Sequence, residues 1–416
     1  MPGSSIASWV ATPELPVTTP NGKRHFAVFI RSLGGGGGAE RMMAVLAGAI
    51  ANRGHRVDLV LGRVEGNMLG AIPENVRVID LKGGEVLGTL GLMLRHPGTA
   101  AALLPSILSR NPPWILACAP ALARYVRRER PDAMLTALNY TSITALWTRR
   151  VEGLDLRLVV SERNTLSQRA ASGAGSLRAL PGLVRHFYPW ADALAAVSAG
   201  VAVDLAEILG VSAEAVAVTF NPVVTPEIDR QAAEALDHPW FAPGEPPVIL
   251  AAGKLKQQKG FDALLEAFAR LRGRRPARLV ILGDGPERGR LQQQARRLAV
   301  DVDVSLPGFV KNPFAFMARS RVFVLSSAWE GLPGVLIQAM ACGCPVVSTD
   351  CPSGPAEILE KGLHGPLVPV GDDVAMAQAI ESVLDAPASK ERLRRRANDF
   401  SVERSTDRYL ALLLGD

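Results

Sequence analysis

Cysteine is scarce in this chain and cannot hold the fold together. Four thiols, Cys118, Cys342, Cys344 and Cys351, spread over 416 residues do not make a disulfide framework. The pair in Cys342-Gly343-Cys344 lacks the second pair that a structural zinc site needs, so buried thiols in a reducing compartment are expected. Aromatics are also sparse, at 5%, and no RNP, zinc-finger or helix-turn-helix pattern occurs, which removes nucleic acid from the expected partners. No apolar run reaches the ~18 residues that a spanning helix requires. The six histidines are scattered and no Asp-x-Asp follows an expected strand, so no metal ligand set stands out. Residues 1–23 are rich in Pro, Ser and Thr without the basic start and apolar centre of a signal peptide. They read as a disordered leader on a cytoplasmic protein.

What remains is ample material for buried sheets: hydrophobic residues make up 48% of the chain and charged ones 21%. A chain of 416 residues exceeds one core of usual size, so two domains are expected. The formal charge is +6, with Lys and Arg gathered at 124–130 and 392–396. Such clusters are commonly solvated helix faces, but they also suit anionic lipid or phosphorylated substrates.

Short apolar runs alternate with helix-period stretches, which predicts α/β architecture. In the first half, strands are expected at 25–30, 55–61, 76–81, 132–138, 156–160, 193–197 and 216–219. Five glycines, Gly34 to Gly38, follow the first strand and lead into a helix from Ala39 to Asn52. A glycine-rich turn there lets backbone approach a phosphate or sugar closely. Gly34, Gly36 and Ala39, with Asp58 about 20 residues on, also fit a loose dinucleotide fingerprint, so an NAD-dependent oxidoreductase is a rival. Asp58, however, falls inside the second strand, where a ribose-binding acid should close it. Ser161-Glu162-Arg163-Asn164 forms an expected turn at a strand's carboxyl end, a ligand position in open parallel sheets. Glu162 and Asn164 are placed to bond sugar hydroxyls, or else Glu162 pairs with Arg163 as a salt bridge.

Residues 86–126 are apolar but cut by five prolines, with Arg95, Arg110, Arg124, Arg127 and Arg128 at their edges. Two readings stand side by side: short helices lying in an anionic membrane interface, or helices that merely cover the first sheet. Residues 223–247, rich in Pro and acidic residues, mark a linker.

In the second half the strand at 248–252 runs into Gly253-Lys254-Leu255-Lys256-Gln257-Gln258-Lys259-Gly260, where lysines are placed to hold a diphosphate as point charges. Gly283 and Gly285 follow the strand at 278–282, and Phe309 and Val310 follow that at 302–306. The strands at 322–325 and 345–348 enclose a crossover helix starting near Pro333 or Gly334 and ending at Gly343. Glu330 thus sits just ahead of that helix's free amides.

Lys254 and Lys259 match the Gly-Arg/Lys-Leu…Gln-Lys-Gly motif, and Glu330-Gly331-Leu332-Pro333-Gly334 the signature loop, of the retaining nucleotide-sugar glycosyltransferases of family four, which this chain resembles. The resemblance covers nearly all of 25–416 and is most specific from Gly253 onwards. It implies the GT-B fold: two Rossmann-like parallel-sheet domains facing a cleft, here 24–222 and 248–399, with a last helix in 400–416 crossing back to the first. It implies roles for Lys254, Lys259 and Glu330 in catalysis, and for Gly253, Gly283, Gly285, Phe309, Val310, Gly331, Leu332, Pro333, Gly334, Val335 and Gln338 in donor binding. Gly36, Gly37, Gly38, Glu40, Arg41, Glu162, Arg163 and Asn164 would lie on the acceptor and sugar side. The family signature is Glu, seven residues, Glu; Gln338 departs from its second place, so weaker donor binding is expected. Many members carry a histidine where this chain has Ser161-Glu162-Arg163-Asn164, as a subset of bacterial polysaccharide and glycan-assembly enzymes does. The resemblance further implies retention of anomeric configuration, no metal or other cofactor, a UDP-sugar donor ahead of GDP, and a glycan acceptor, lipid-linked at the cytoplasmic membrane face. A non-catalytic scaffold is the further alternative, suggested by Gln338 alone.

Overall fold

The computed structural model describes residues 22–34, 38–65, 72–109, 111–172 and 177–416. Most of the expected leader therefore lies outside the described residues, as do Gly36, Gly37 and Arg110.

Seven parallel strands form the first sheet: β1 (His25–Ile30), β2 (Arg56–Leu61), β3 (Arg77–Asp80), β4 (Ala133–Ala137), β5 (Arg157–Glu162), β6 (Ala193–Ala196) and β7 (Ala217–Val218), in the order β3-β2-β1-β4-β5-β6-β7. The second sheet has six: β8 (Val248–Ala252), β9 (Arg278–Leu282), β10 (Val304–Gly308), β11 (Val322–Leu325), β12 (Val346–Thr349) and β13 (Leu367–Val368), in the order β10-β9-β8-β11-β12-β13. Strand order reverses between β1 and β4 in one sheet and between β8 and β11 in the other. Open α/β sheets bind ligands outside the strand ends at such points. Strands buried on both faces explain the continuous apolar runs of the sequence.

β5 extends two residues further than its apolar run suggests. Ser161 and Glu162 pair with Ala195 and Ala196 of β6, so they belong to the strand and not to the turn after it. Cross-strand partners decide where a strand ends; side-chain polarity does not.

The helix Val402–Leu414 returns to the first domain, placing Tyr409, Leu410 and Leu413 in one core with Phe26, Val28, Leu135 and Val159. Arg53 bonds Asp407 and the Glu403 carbonyl oxygen, and Arg157 Nε donates to Leu412 O at 2.9 Å. The Val223 and Val224 amides both donate to Phe400 O, at 3.0 and 3.1 Å, so the two chain crossings run side by side. Within 223–247, the helix Glu227–Ala233 lies against Pro313–Arg319, where Asn312 Nδ2 reaches Gln231 O at 2.8 Å.

The proline-cut segment is four short helices: Val86–Arg95, Pro97–Ile107, the 3-10 turn Trp114–Cys118, and Ala119–Glu129. Leu92, Leu103, Ile115 and Leu122 enter the core of the first domain. Leu87, Leu94 and Leu108 remain 84%, 82% and 80% exposed. All four cysteines are free and buried.

Candidate functional site

At the reversal point of the second sheet, the loop after β8 and the loop after β11 are stitched together. Ala328 N donates to Gln258 O at 2.8 Å, Gln258 Nε2 to Trp329 O at 2.9 Å, and Ser326 Oγ to Lys259 O at 2.8 Å. Gly260 makes this possible: its φ is +59°, and a Cβ there would stand 2.1 Å from Ser326 O. The result is that Lys259 Nζ lies 2.6 Å from Glu330 Oε1, which also accepts from Ser327 Oγ at 2.6 Å. Glu330 is buried and Lys259 half-buried, so this pair is shielded from screening water.

The neighbouring strand ends close the floor. Leu255 N donates to Asp284 O at 2.9 Å and Gly283 N to Gly308 O at 2.8 Å. Gly283, at φ +125°, lets backbone pack where a Cβ would sit 2.1 Å from Gly253 O. Gly285 has a similar constraint against Leu255 O. Gly253, Gly283 and Gly285 therefore bring the ends of β8, β9 and β10 to one place. Beyond β10, Phe309 is 83% exposed and Val310 half-buried.

Beside Glu330, Gly331, Leu332 and Pro333 are buried, and the helix Gly334–Ala341 begins with no side chain capping it. Uncapped amides at a helix start are donors awaiting an anion. Gly334, Val335 and Gln338 are half-buried on this helix.

Lys256, a third lysine of the loop, is held below the usual lysine range, first by burial and then by Lys254, Lys259 and Arg169, with Glu330 acting in the opposite sense. Arg169 belongs to the first domain, on the helix Leu166–Ser172, and its Nη1 donates to Asn139 Oδ1 at 3.1 Å. Charges of both domains therefore act on Lys256, whose own domain supplies Lys254, Lys259 and Glu330. Lys256 and Arg169 were missed because lysine spacing points only to the family motif and nothing local marks Arg169.

Across the cleft, Glu162 is enclosed. Its Oε2 accepts from Asn139 Nδ2 at 2.7 Å and Tyr188 OH at 3.1 Å, and its Oε1 from the Arg163 amide at 3.0 Å. Burial pushes the carboxyl up to about 7 against the pull of these donors. The expected alternative pairing of Glu162 with the Arg163 guanidinium is replaced by another arrangement: Arg163 Nη1 bonds Ser161 Oγ at 3.3 Å and Tyr409 OH at 3.1 Å. Asn164 is half-buried in the turn that follows. Asn139 opens its helix after Leu138, a non-glycine at φ +74°, at the reversal point of the first sheet. Gly38, exposed, starts the helix Gly38–Asn52, with Glu40 half-buried and Arg41 exposed in its first turn.

The two sides touch. A Cβ on Gly331 would stand 2.3 Å from Arg163 O, so the loop carrying Glu330 lies directly against the turn after β5. Asp58, the acid a dinucleotide site would use, is fully buried in β2 and taken up by His25 Nε2 at 2.9 Å, Tyr125 OH at 2.7 Å and Arg77 Nε at 2.8 Å. These partners hold its carboxyl far below the usual range, and a ribose has no access to it. Among the described residues no three His, Cys, Asp or Glu side chains gather as a metal-ligand group.

Comparisons with known proteins agree with this geometry. Residues 36–225 match the family model described as Glycosyltransferase Family 4, and residues 246–386 that described as Glycosyl transferases group 1. The chain is 30% identical over 288 residues to the N-acetylgalactosamine-N,N'-diacetylbacillosaminyl-diphospho-undecaprenol 4-alpha-N-acetylgalactosaminyltransferase of Campylobacter jejuni, covering 68% of this chain and 76% of that one. It is 38% identical over 176 residues to the lipopolysaccharide core biosynthesis glycosyltransferase LpsE of Rhizobium meliloti, 41% of this chain and about half, 51%, of LpsE. The structure of Anabaena HepE in complex with UDP-glucose superposes with a TM-score of 0.70 at 19% identity, over 94% of this chain and all of that one, a likeness of fold. The chain belongs to glycosyltransferase family 4 and has the GT-B fold.

Proposed function

We propose that this glycosyltransferase moves a hexose or N-acetylhexosamine from a UDP-sugar to a lipid-linked glycan acceptor, with retention and without a bound metal. One observation carries the reading: Lys259 and Glu330 stand 2.6 Å apart at the strand reversal, beside an uncapped helix start. Charge gathers on the departing diphosphate in the transition state, and donors fixed in advance around it lower the barrier. Lys254 and Lys259 supply that charge in this reading, with the amides of Leu332, Gly334 and Val335 aimed at the same oxygens and Glu330 on the donor sugar. Gln338 holds one ribose hydroxyl without the negative charge a glutamate would bring. The diphospho-undecaprenol in the Campylobacter relative's name supports a lipid-linked acceptor, and the UDP-glucose of the HepE complex supports the donor. Retention rests on the family resemblance alone, since the family offers no obvious carboxylate pair of the glycosidase kind from which it could be read.

The test starts with thermal shift against UDP, GDP, ADP and NAD, then hydrolysis and transfer with UDP-sugars. UDP is expected to raise the melting temperature and NAD to leave it unchanged. Lys254→Ala and Lys259→Ala should each lower kcat/KM about 100-fold, in line with the loss of a transition-state donor. Near-normal kinetics in both variants refutes the leaving-group role, and binding of UDP without any turnover refutes catalysis.

A further inference from the structure

Ser198 follows β6 and begins the helix Ala199–Leu209, where its side chain accepts from Val201 N at 3.3 Å as an N-cap. Capping alone does not account for its surroundings. Its Oγ, fully buried, also lies 2.9 Å from the carbonyl oxygen of Gly331 and 2.8 Å from Ser353 Oγ, both in the other domain. A hydroxyl has one proton and two lone pairs. The Gly331 oxygen can only accept, and it is reached by Ser198 Oγ at 2.9 Å and, more distantly, by Ser353 Oγ of its own domain at 3.2 Å; in the shorter bond Ser198 donates, while its lone pairs face the Val201 amide and the Ser353 hydroxyl.

Gly331 is the residue between Glu330 and the buried Leu332-Pro333 that lead into the uncapped helix. It is therefore held on two sides by the first domain: by the Arg163 carbonyl oxygen, which leaves no room for a side chain, and by the Ser198 hydroxyl. The helix start carries a second tie, since Ala199 N donates to both oxygens of Glu357 at 2.9 and 3.1 Å. Gly200 is equally constrained, as a Cβ there would meet Ser353 Oγ at 2.8 Å.

We infer that Ser198 is a positioning residue of this transferase: by donating to the Gly331 carbonyl it fixes the 330–335 loop, and with it Glu330 and the helix amides, only when the two domains are closed. The inference rests on the donor-site reading given above for that loop. Closure of the domains is thereby coupled to alignment of the groups that face the leaving diphosphate, and an open molecule is misaligned for transfer or for wasteful hydrolysis.

The experiment compares wild type, Ser198→Ala, Ser198→Thr and Asp372→Ala. The last removes a side-chain N-cap from the helix Asp373–Asp385, which packs on Phe261–Arg272 and the second sheet and not on Gly334–Ala341. Two readouts are taken: steady-state kinetics with a UDP-sugar, and hydrogen exchange of the amides of 331, 332 and 334–337 without nucleotide. Ser198→Ala is expected to lower kcat about tenfold with donor KM within about threefold, and to speed exchange in that segment. Ser198→Thr, which keeps the donor, restores both, and Asp372→Ala loses stability yet changes neither. If Ser198→Ala and Asp372→Ala behave alike, the hydroxyl is only a cap and the inference falls. If wild type turns over no UDP-sugar, the functional reading fails, while unchanged exchange in Ser198→Ala separately overturns the latch.

Discussion

Glu162 shows what a carboxyl does when the chain encloses it with neutral direct donors and the guanidinium of Arg169 acts on it through its charge. Asn139, Tyr188 and a backbone amide bond it, yet burial prevails and its carboxyl is pushed up to about 7. An unfolded chain titrates such a group near ~4.3. Between those values the native state binds the extra proton, so this group's contribution to stability is greatest at low pH and declines as pH rises through 7. Glu357, also pushed up to about 7 by burial, acts in the same direction, while His55 and His238, held below the usual histidine range, act oppositely near 6.5. The quantity to measure is therefore the difference between wild type and Glu162→Gln. In urea unfolding the stability advantage of wild type should be larger at about pH 5.5 than at about pH 8, by roughly 1–3 kcal/mol. An advantage independent of pH would mean that Glu162 stays ionised in the fold. The Ser161-to-Asn164 stretch was legible as a ligand position, but its hydrogen-bond partners lie 23 and 26 residues away and no local pattern announces them.

Among the elements, the helices Val86–Arg95 and Pro97–Ile107 settle part of what composition left open. They pack on each other and on the neighbouring helices Trp114–Cys118, Ala119–Glu129 and Leu180–Phe187, with Leu92 and Leu103 inside, yet Val86, Leu87, Leu90, Leu94, Leu104 and Leu108 face outward. An apolar face of this kind, with Arg95 exposed at its end, is the form of an interfacial anchor. No helix among the described residues is long and apolar enough to cross a membrane. Lying on the surface is therefore the mode to test. In flotation with vesicles containing about 30% anionic lipid, wild type is expected to rise with the lipid and Leu87→Asp with Leu94→Asp to remain below, since each buried apolar side chain contributes about 1.5–3 kcal/mol. Equal partition of both proteins would end the membrane proposal. Pro97 marks where the first of these helices gives way to the second, while Pro105 sits inside the second without ending it, so the helices were readable but their bounds only in part; which face each presents depended on what they packed against.

At the scale of the whole molecule, the last helix joins what the sequence separates. Tyr409, Leu410 and Leu413 complete the core of a domain whose last strand ends at Val218. Leu413→Ala is expected to destabilise that first domain by about 2–4 kcal/mol, read as an earlier loss of its transition in urea unfolding. A change under about 0.5 kcal/mol would show that the helix docks without supporting the core. The chain's own order of residues determined the alternation of strands and helices, the glycine turns and the lysine and glutamate loops, because periodicity and backbone freedom are local properties. Folding in three dimensions decided that the charge of Arg169 would act on Lys256, that Asp58 would be sealed in a strand, and that Ser198 would bond Gly331. Those outcomes depend on contacts between residues 87, 67 and 133 positions apart, and their energies exist only once the sheets have brought distant segments within hydrogen-bond or Coulomb range.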